Sequence, residues 1–120
     1  MNQYIDGFVL AIPKAKLAEY KNLATKAGQI WREHGALEYR ECALNDADAP
    51  KMVPFPKLAK AKEGEVVIFA YAVFKSRKHR DAANKKIMAD KRLEAMCEES
   101  KTLVNCTRMA YGGFEAIVSL

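Results

Sequence analysis

Apolar and polar positions along this chain follow two periods, one of about 2 residues and one of about 3.6, and the switches between them mark its elements. Tyr4 to Ile12 is rich in β-branched and aromatic residues and stops at Pro13, which cannot donate to a ladder. It predicts a first strand. Leu17, Tyr20, Leu23, Ala24, Ala27, Ile30, Trp31 and His34 then recur at three- and four-residue spacing, with Lys16, Glu19, Lys21, Lys26 and Arg32 between them. That is an amphipathic helix, closed at Gly35 where a left-handed cap would sit. Ala36 to Leu44 mixes apolar and charged residues as a half-exposed strand does.

Asn45 to Gly64 is a long connection carrying Pro50, Pro54 and Pro56, with a short helical turn predicted over Lys57 to Lys62. Met52, Val53 and Phe55 are too apolar for a solvated linker, so the segment is expected to be an arm or lid. Glu65 to Phe74 is the strongest strand in the sequence. Ser76 offers an N-cap to a helix over Arg77 to Asp90, with Ala83, Ile87 and Met88 inward, and Leu93 and Met96 suggest a further segment to about Ser100. Cys106 to Leu120 is β-rich, and its adjacent Gly112 and Gly113 predict a bulge or a close backbone approach.

The order β-α-β-β-α-(α)-β is the split βαβ, ferredoxin-like arrangement, an α+β fold with an antiparallel sheet spanning residues 1–120 as one domain. Its helices lie on one face of the sheet. Strand 3 is nevertheless apolar on both sides: Val66, Ile68, Ala70, Ala72 and Phe74 point one way, and Val67, Phe69, Tyr71 and Val73 the other. Each large side chain left wet forfeits ~1.5–3 kcal/mol of burial. Tyr4, Phe8 and Leu10 enlarge that open patch if they share its face. A two-fold dimer packed sheet to sheet through Val67, Phe69, Tyr71 and Val73 is the expectation.

Composition narrows the picture. In 120 residues, half of them apolar, there is enough material for a single core, and no apolar run approaches a membrane span. Strand-like sequence begins at Tyr4 with no secretory leader before it, and Cys42, Cys97 and Cys106 are odd in number and widely spaced. Reduced thiols, most simply buried, in a cytoplasmic protein are expected. The net charge of +5 permits an anionic partner without requiring one.

Several segments resemble the YbaA-like family of uncharacterised bacterial proteins. They are Tyr4-Ile-Asp-Gly-Phe-Val-Leu10, Trp31 through Gly35-Ala-Leu-Glu-Tyr39, Arg77 through Asp81-Ala-Ala-Asn84 with Met88-Ala-Asp90, and Arg108-Met-Ala-Tyr111-Gly-Gly-Phe-Glu115. The resemblance covers nearly the whole chain. It implies membership of the dimeric α+β barrel superfamily and hence face-to-face dimerisation, but no established reaction. Some proteins of that wider superfamily are cofactor-free monooxygenases or haem degraders.

No motif for a metal, a nucleotide phosphate or another cofactor occurs, so none is expected. Asp6 lies in an apolar strand, where a carboxylate needs a partner or serves proton transfer. His79 lies in a basic first helical turn with Arg77, Lys78 and Arg80, which opposes the helix dipole unless an anion is held there. Asp6 and His79 are therefore the catalytic candidates. Tyr4, Trp31, Tyr71 and His79 are the candidate ligand contacts for a pocket between sheet and helices. RNA binding is disfavoured: the strand-3 aromatics lack the Lys/Arg-Gly pair of an RNA-recognition module, and the basic residues fall on a helix. The leading expectation is a homodimer binding a small molecule; the alternative is a cofactor-independent monooxygenase or isomerase.

Overall fold

Residue pairs running without a break from Tyr4↔Phe74 to Pro13↔Glu65 join β1 (Tyr4–Pro13) to β3 (Glu65–Phe74) in the computed structural model, which describes residues 2–120. β2 (Glu38–Ala43) pairs with the far side of β3, and β4 (Ala110–Glu115) with the far side of β1. The result is a four-stranded antiparallel sheet in the order β2-β3-β1-β4, the ferredoxin-like arrangement. α1 (Leu17–Glu33) connects β1 to β2, and α3 (Arg77–Met88) and α4 (Lys91–Ser100) connect β3 to β4. The molecule measures 38 × 36 × 21 Å. Its short dimension holds one sheet and one layer of long helices, each about 10 Å thick.

Local chemistry sets the ends of these elements. Gly35, at φ +119°, takes the conformation that terminates α1, and the Ser76 hydroxyl accepts from the His79 backbone N–H to start α3. The Asp90 carboxylate accepts from the Arg92 N–H to start α4. A short α2 (Phe55–Leu58) opens two residues earlier than the turn expected over Lys57 to Lys62, with Pro56 in its first turn. β4 is shorter than the β-rich run from Cys106 suggested, because Cys106–Arg108 form a 3-10 turn instead. Gly112 and Gly113 produce no bulge, since their pairing with Gly7 and Asp6 is continuous. Gly113 is the close approach: a side chain there would meet the Tyr4 ring and the Arg80 guanidinium at less than 3.0 Å.

Register assigns the faces. Directly opposed residues share a face, so Tyr4, Asp6, Phe8, Leu10 and Ile12 lie with Val66, Ile68, Ala70, Ala72 and Phe74 beneath the helices. One cluster there contains Leu10, Ile12, Tyr20, Ala24, Ile68 and Leu103; a second contains Ala36, Ala72, Phe74, Ala83 and Ile87. The expectation that Tyr4, Phe8 and Leu10 enlarge the open patch is thereby corrected. Ile5, Val9 and Phe114 share that face with Val67, Phe69, Tyr71 and Val73. The chain covers part of it unaided. Val67 and Val73 are buried, and Phe55 of α2 meets Phe69 edge to face at 6.3 Å. Phe69 and Phe114 remain exposed, at 43% and 61%.

An ion pair ties the start of β3 to the turn before β4. Arg108 donates to both oxygens of Glu65 at 2.7 and 2.8 Å, and the Lys62 N–H donates to one of them at 2.7 Å. The Arg108 hydrogen bonds, helped by that N–H, lower the Glu65 carboxyl from 4.5 to about 2. A lowered native value means this contribution is complete above pH 4.5 and is lost as pH falls toward 2. Replacing Glu65 with Gln is expected to flatten the loss of stability over that acid interval, measured by urea unfolding at successive pH values. An unchanged slope would show the pair to be energetically idle.

Candidate functional site

β2 is an edge strand with α1 on one side of it, and the two separate enough to leave a cleft of about 900 Å³. Leu17, Ala24, Leu37, Ala43 and Ile68 give it apolar walls. Alternation along β2 turns Tyr39, Glu41 and Ala43 inward with Ala72, Ala70 and Ile68. Gly28 of α1 admits the Tyr39 ring: a Cβ at that position would lie 2.7 Å from it.

Glu41 is the polar centre. Tyr20, from α1, donates its hydroxyl to Oε1 at 2.5 Å, and Tyr39 donates to Oε2 at 2.5 Å. Burial raises both tyrosine pKa values, and the Glu41 charge and hydrogen bonds raise them further. Both phenols are therefore neutral donors at any physiological pH. Each carboxylate oxygen keeps a lone pair, so the trio can still accept a hydrogen bond from a bound molecule.

Charges around the rim are unequally matched. Glu33 is met by Arg92 at 2.5 Å and Glu38 by Arg40 at 3.4 Å. Lys21 and Arg32 also line the cleft, and neither meets a carboxylate among the described residues. Arg32 Nη1 donates to the carbonyls of Ala36, at 3.0 Å, and Leu37, which fixes the guanidinium at the cleft wall.

A second polar cluster sits on the same face of the sheet, toward β4. Asp6, 1% exposed, accepts from Arg80 Nη1 at 2.5 Å. Arg80 also donates to the Tyr111 hydroxyl at 3.1 Å and to Asp81 at 2.8 Å, and its guanidinium lies 4.7 Å from the centre of the Tyr4 ring. Burial, with the Asp6 charge next, raises the Tyr111 pKa. β1, β4 and α3 are pinned together here.

The sequence-derived candidates are thus dispersed. Tyr4 and Asp6 meet at Arg80, away from the cleft. Trp31 backs the cleft by packing on Tyr39 at 5.9 Å, with its buried Nε1 unpartnered among the described residues. His79 Nδ1 accepts from the Lys75 N–H, and its ring stands edge-on to Phe74 at 5.7 Å while closely approaching Gly35. Tyr71 faces the opposite side of the sheet and accepts from Arg40 at 3.1 Å. Sequence reasoning missed the Tyr20–Glu41–Tyr39 trio. The available signal was a carboxylate on the apolar alternation of β2. The three cysteines, expected to be buried, are exposed. Among the described residues, no group of His, Cys, Asp or Glu is placed to hold a metal, and no helix is long and apolar enough to cross a membrane.

Removing one partner of a buried ion pair strands the other. Arg80→Met is expected to cost about 3–5 kcal/mol, because it leaves the Asp6 carboxyl without its partner in a dry site. Replacing both, Asp6→Leu with Arg80→Met, is expected to cost less than that single change, as read by denaturant unfolding. A single-variant cost below about 1 kcal/mol, the surface-pair range, would refute the anchoring role.

Comparison with known proteins agrees with this architecture. The family model described as "Protein of unknown function (DUF1428)" matches residues 3–103. The protein YbaA of Escherichia coli strain K12 is 40% identical over 116 residues, covering 97% of each chain, and YbaA of Shigella flexneri is equally similar. Two solved structures share the fold at a TM-score of 0.65. A mutant form of SnoaB, a cofactor-independent oxygenase from Streptomyces nogalater, is 14% identical and spans 100% of this chain and 98% of its own. A dimeric ferredoxin-like protein from an uncultured marine organism is 7% identical over the full length of both chains. With its ferredoxin-like sheet and its near full-length match to YbaA, this chain belongs to the DUF1428 family.

Proposed function

We propose that the protein is a two-fold dimer that binds a small organic molecule in the cleft between α1 and β2. The observation carrying this is the cleft itself. Its volume and apolar walls suit a small ligand, and its inner polar group, Glu41 between two neutral tyrosines, is oriented before any ligand arrives. The dimer closes through the open sheet face, where Phe69, Tyr71 and Phe114 meet their symmetry mates around Val67 and Val73, with Phe55 at the margin. Tyr71 belongs to that interface, Trp31 holds the wall behind Tyr39, His79 packs on Phe74 beside Gly35, and Tyr4 and Asp6 fix α3.

The likeness to a cofactor-independent oxygenase supports an enzymatic second reading. In it Glu41, rather than Asp6 or His79, removes a proton from the bound molecule, since Glu41 is the carboxylate facing the cleft between its two phenols.

The test is a titration of ¹⁵N-labelled protein with 2-naphthol, an apolar ring carrying one hydroxyl. Saturable shifts at the amides of Ala24, Gly28, Tyr39 and Glu41 are expected, with the open-face amides of Phe69 and Phe114 unmoved. Shifts confined to the open face, or none, would overturn the assignment.

A further inference from the structure

We infer that the ligand class is a monoanionic organic acid, its carboxylate held by Arg32 and a hydroxyl at its far end read by Glu41. This rests on the cleft reading above and deepens it. Three features of the lining carry it.

The first is charge balance. Of the acidic residues around the cleft, Glu33 and Glu38 have arginine partners and Glu41 has its tyrosines. The cations Lys21 and Arg32 are left without a carboxylate among the described residues. Both project from α1, eleven positions apart with Thr25 and Gly28 between them on the same helical face, and all four line the cleft. Lys21 stands about 16 Å further along the helix, so an anion entering beside Arg32 meets one cation with no carboxylate of its own and displaces no existing pair.

The second is geometry. Arg32 spends Nη1 on two backbone carbonyls, which anchors the side chain without neutralising its charge. Nε and Nη2 make no hydrogen bond among the described residues, and these form the edge that grips a carboxylate with two parallel bonds. A guanidinium already fixed loses little freedom when it takes up an anion.

The third is selectivity. Glu41 is an anion whose donors, the phenols, are already spent on it. It accepts from a ligand hydroxyl but repels a second carboxylate. A hydroxy acid fits the two ends; a diacid does not. The apolar walls between them take the ligand's hydrocarbon body.

Three naphthalene probes separate these terms by calorimetry on the full chain. 6-Hydroxy-2-naphthoate is expected to bind about tenfold tighter than 2-naphthol, the ratio one charge-assisted bidentate contact supplies. Naphthalene-2,6-dicarboxylate is expected to bind more weakly than the hydroxy acid. Arg32→Met should erase the advantage of the hydroxy acid over 2-naphthol, and Glu41→Gln should narrow the discrimination against the diacid. The comparison of probes on the unaltered protein needs no variant to fold. Equal affinity for 6-hydroxy-2-naphthoate and 2-naphthol, with the cleft amides still shifting, would overturn the acid assignment and leave the binding cleft standing. A diacid that binds as tightly as the hydroxy acid would overturn the role of Glu41. Absence of cleft shifts with every probe would remove the binding reading itself.

Discussion

Everything in this molecule depends on one register, the antiparallel pairing of β1 with β3 that sets Tyr4 opposite Phe74. Side chains alternate with a period of 2, so a slip by a single residue would exchange the faces of a whole strand. Asp6 would leave Arg80 for the open side, and Leu10 and Ile12 would abandon the core. In the observed register, the helix-facing set of β3 closes two core clusters, while Phe69 and Tyr71 look away from them. The pairing is guarded by polar contacts at one end, Glu65 with Arg108, and within the strand, Asp6 with Arg80. Such pairs add little net stability, but a slipped register would strand buried charge, and that cost favours a single arrangement.

The two polar clusters divide the work. Around Arg80 the contacts are closed: the guanidinium is 11% exposed and shared among Asp6, Asp81, Tyr111 and the Tyr4 ring, which makes an anchor. Around Glu41 they are open. Its tyrosines hold it still, the neighbouring walls are apolar, and Lys21 and Arg32 at the rim have no acidic partners among the described residues. The segments that carry the YbaA-like resemblance supply both: Asp6, Arg80, Asp81 and Tyr111 to the anchor, Arg32, Leu37 and Tyr39 to the cleft. Anchor and cleft wall come from different stretches of the chain, and Tyr20 and Glu41 lie outside all of them.

Much of the fold is legible in the sequence because it is encoded locally. The ends of β3 follow from a run of β-branched and aromatic residues, the end of α1 from Gly35, and the start of α3 from Ser76. The pairing need of Asp6 is legible too, as a carboxylate among apolar neighbours. What escapes is what only tertiary contact decides. Alternation groups Tyr4, Phe8 and Leu10 together without saying which side they take; the partner strand decides that. Tyr20 and Glu41 stand 21 positions apart, and Tyr20 in an amphipathic helix looks like core. Arg80 looks like one more cation in a basic turn until β4 closes over it, with Gly113 leaving the space.

The sheet is apolar on both faces, while the long helices α1, α3 and α4 cover one and the short α2 only edges the other. Multi-angle light scattering at micromolar concentration reads whether a second copy covers that face. A particle of twice the 13.5 kDa chain mass is expected, falling to the single-chain mass in Phe69→Asp. A 13.5 kDa particle from the unaltered protein would contradict the dimer.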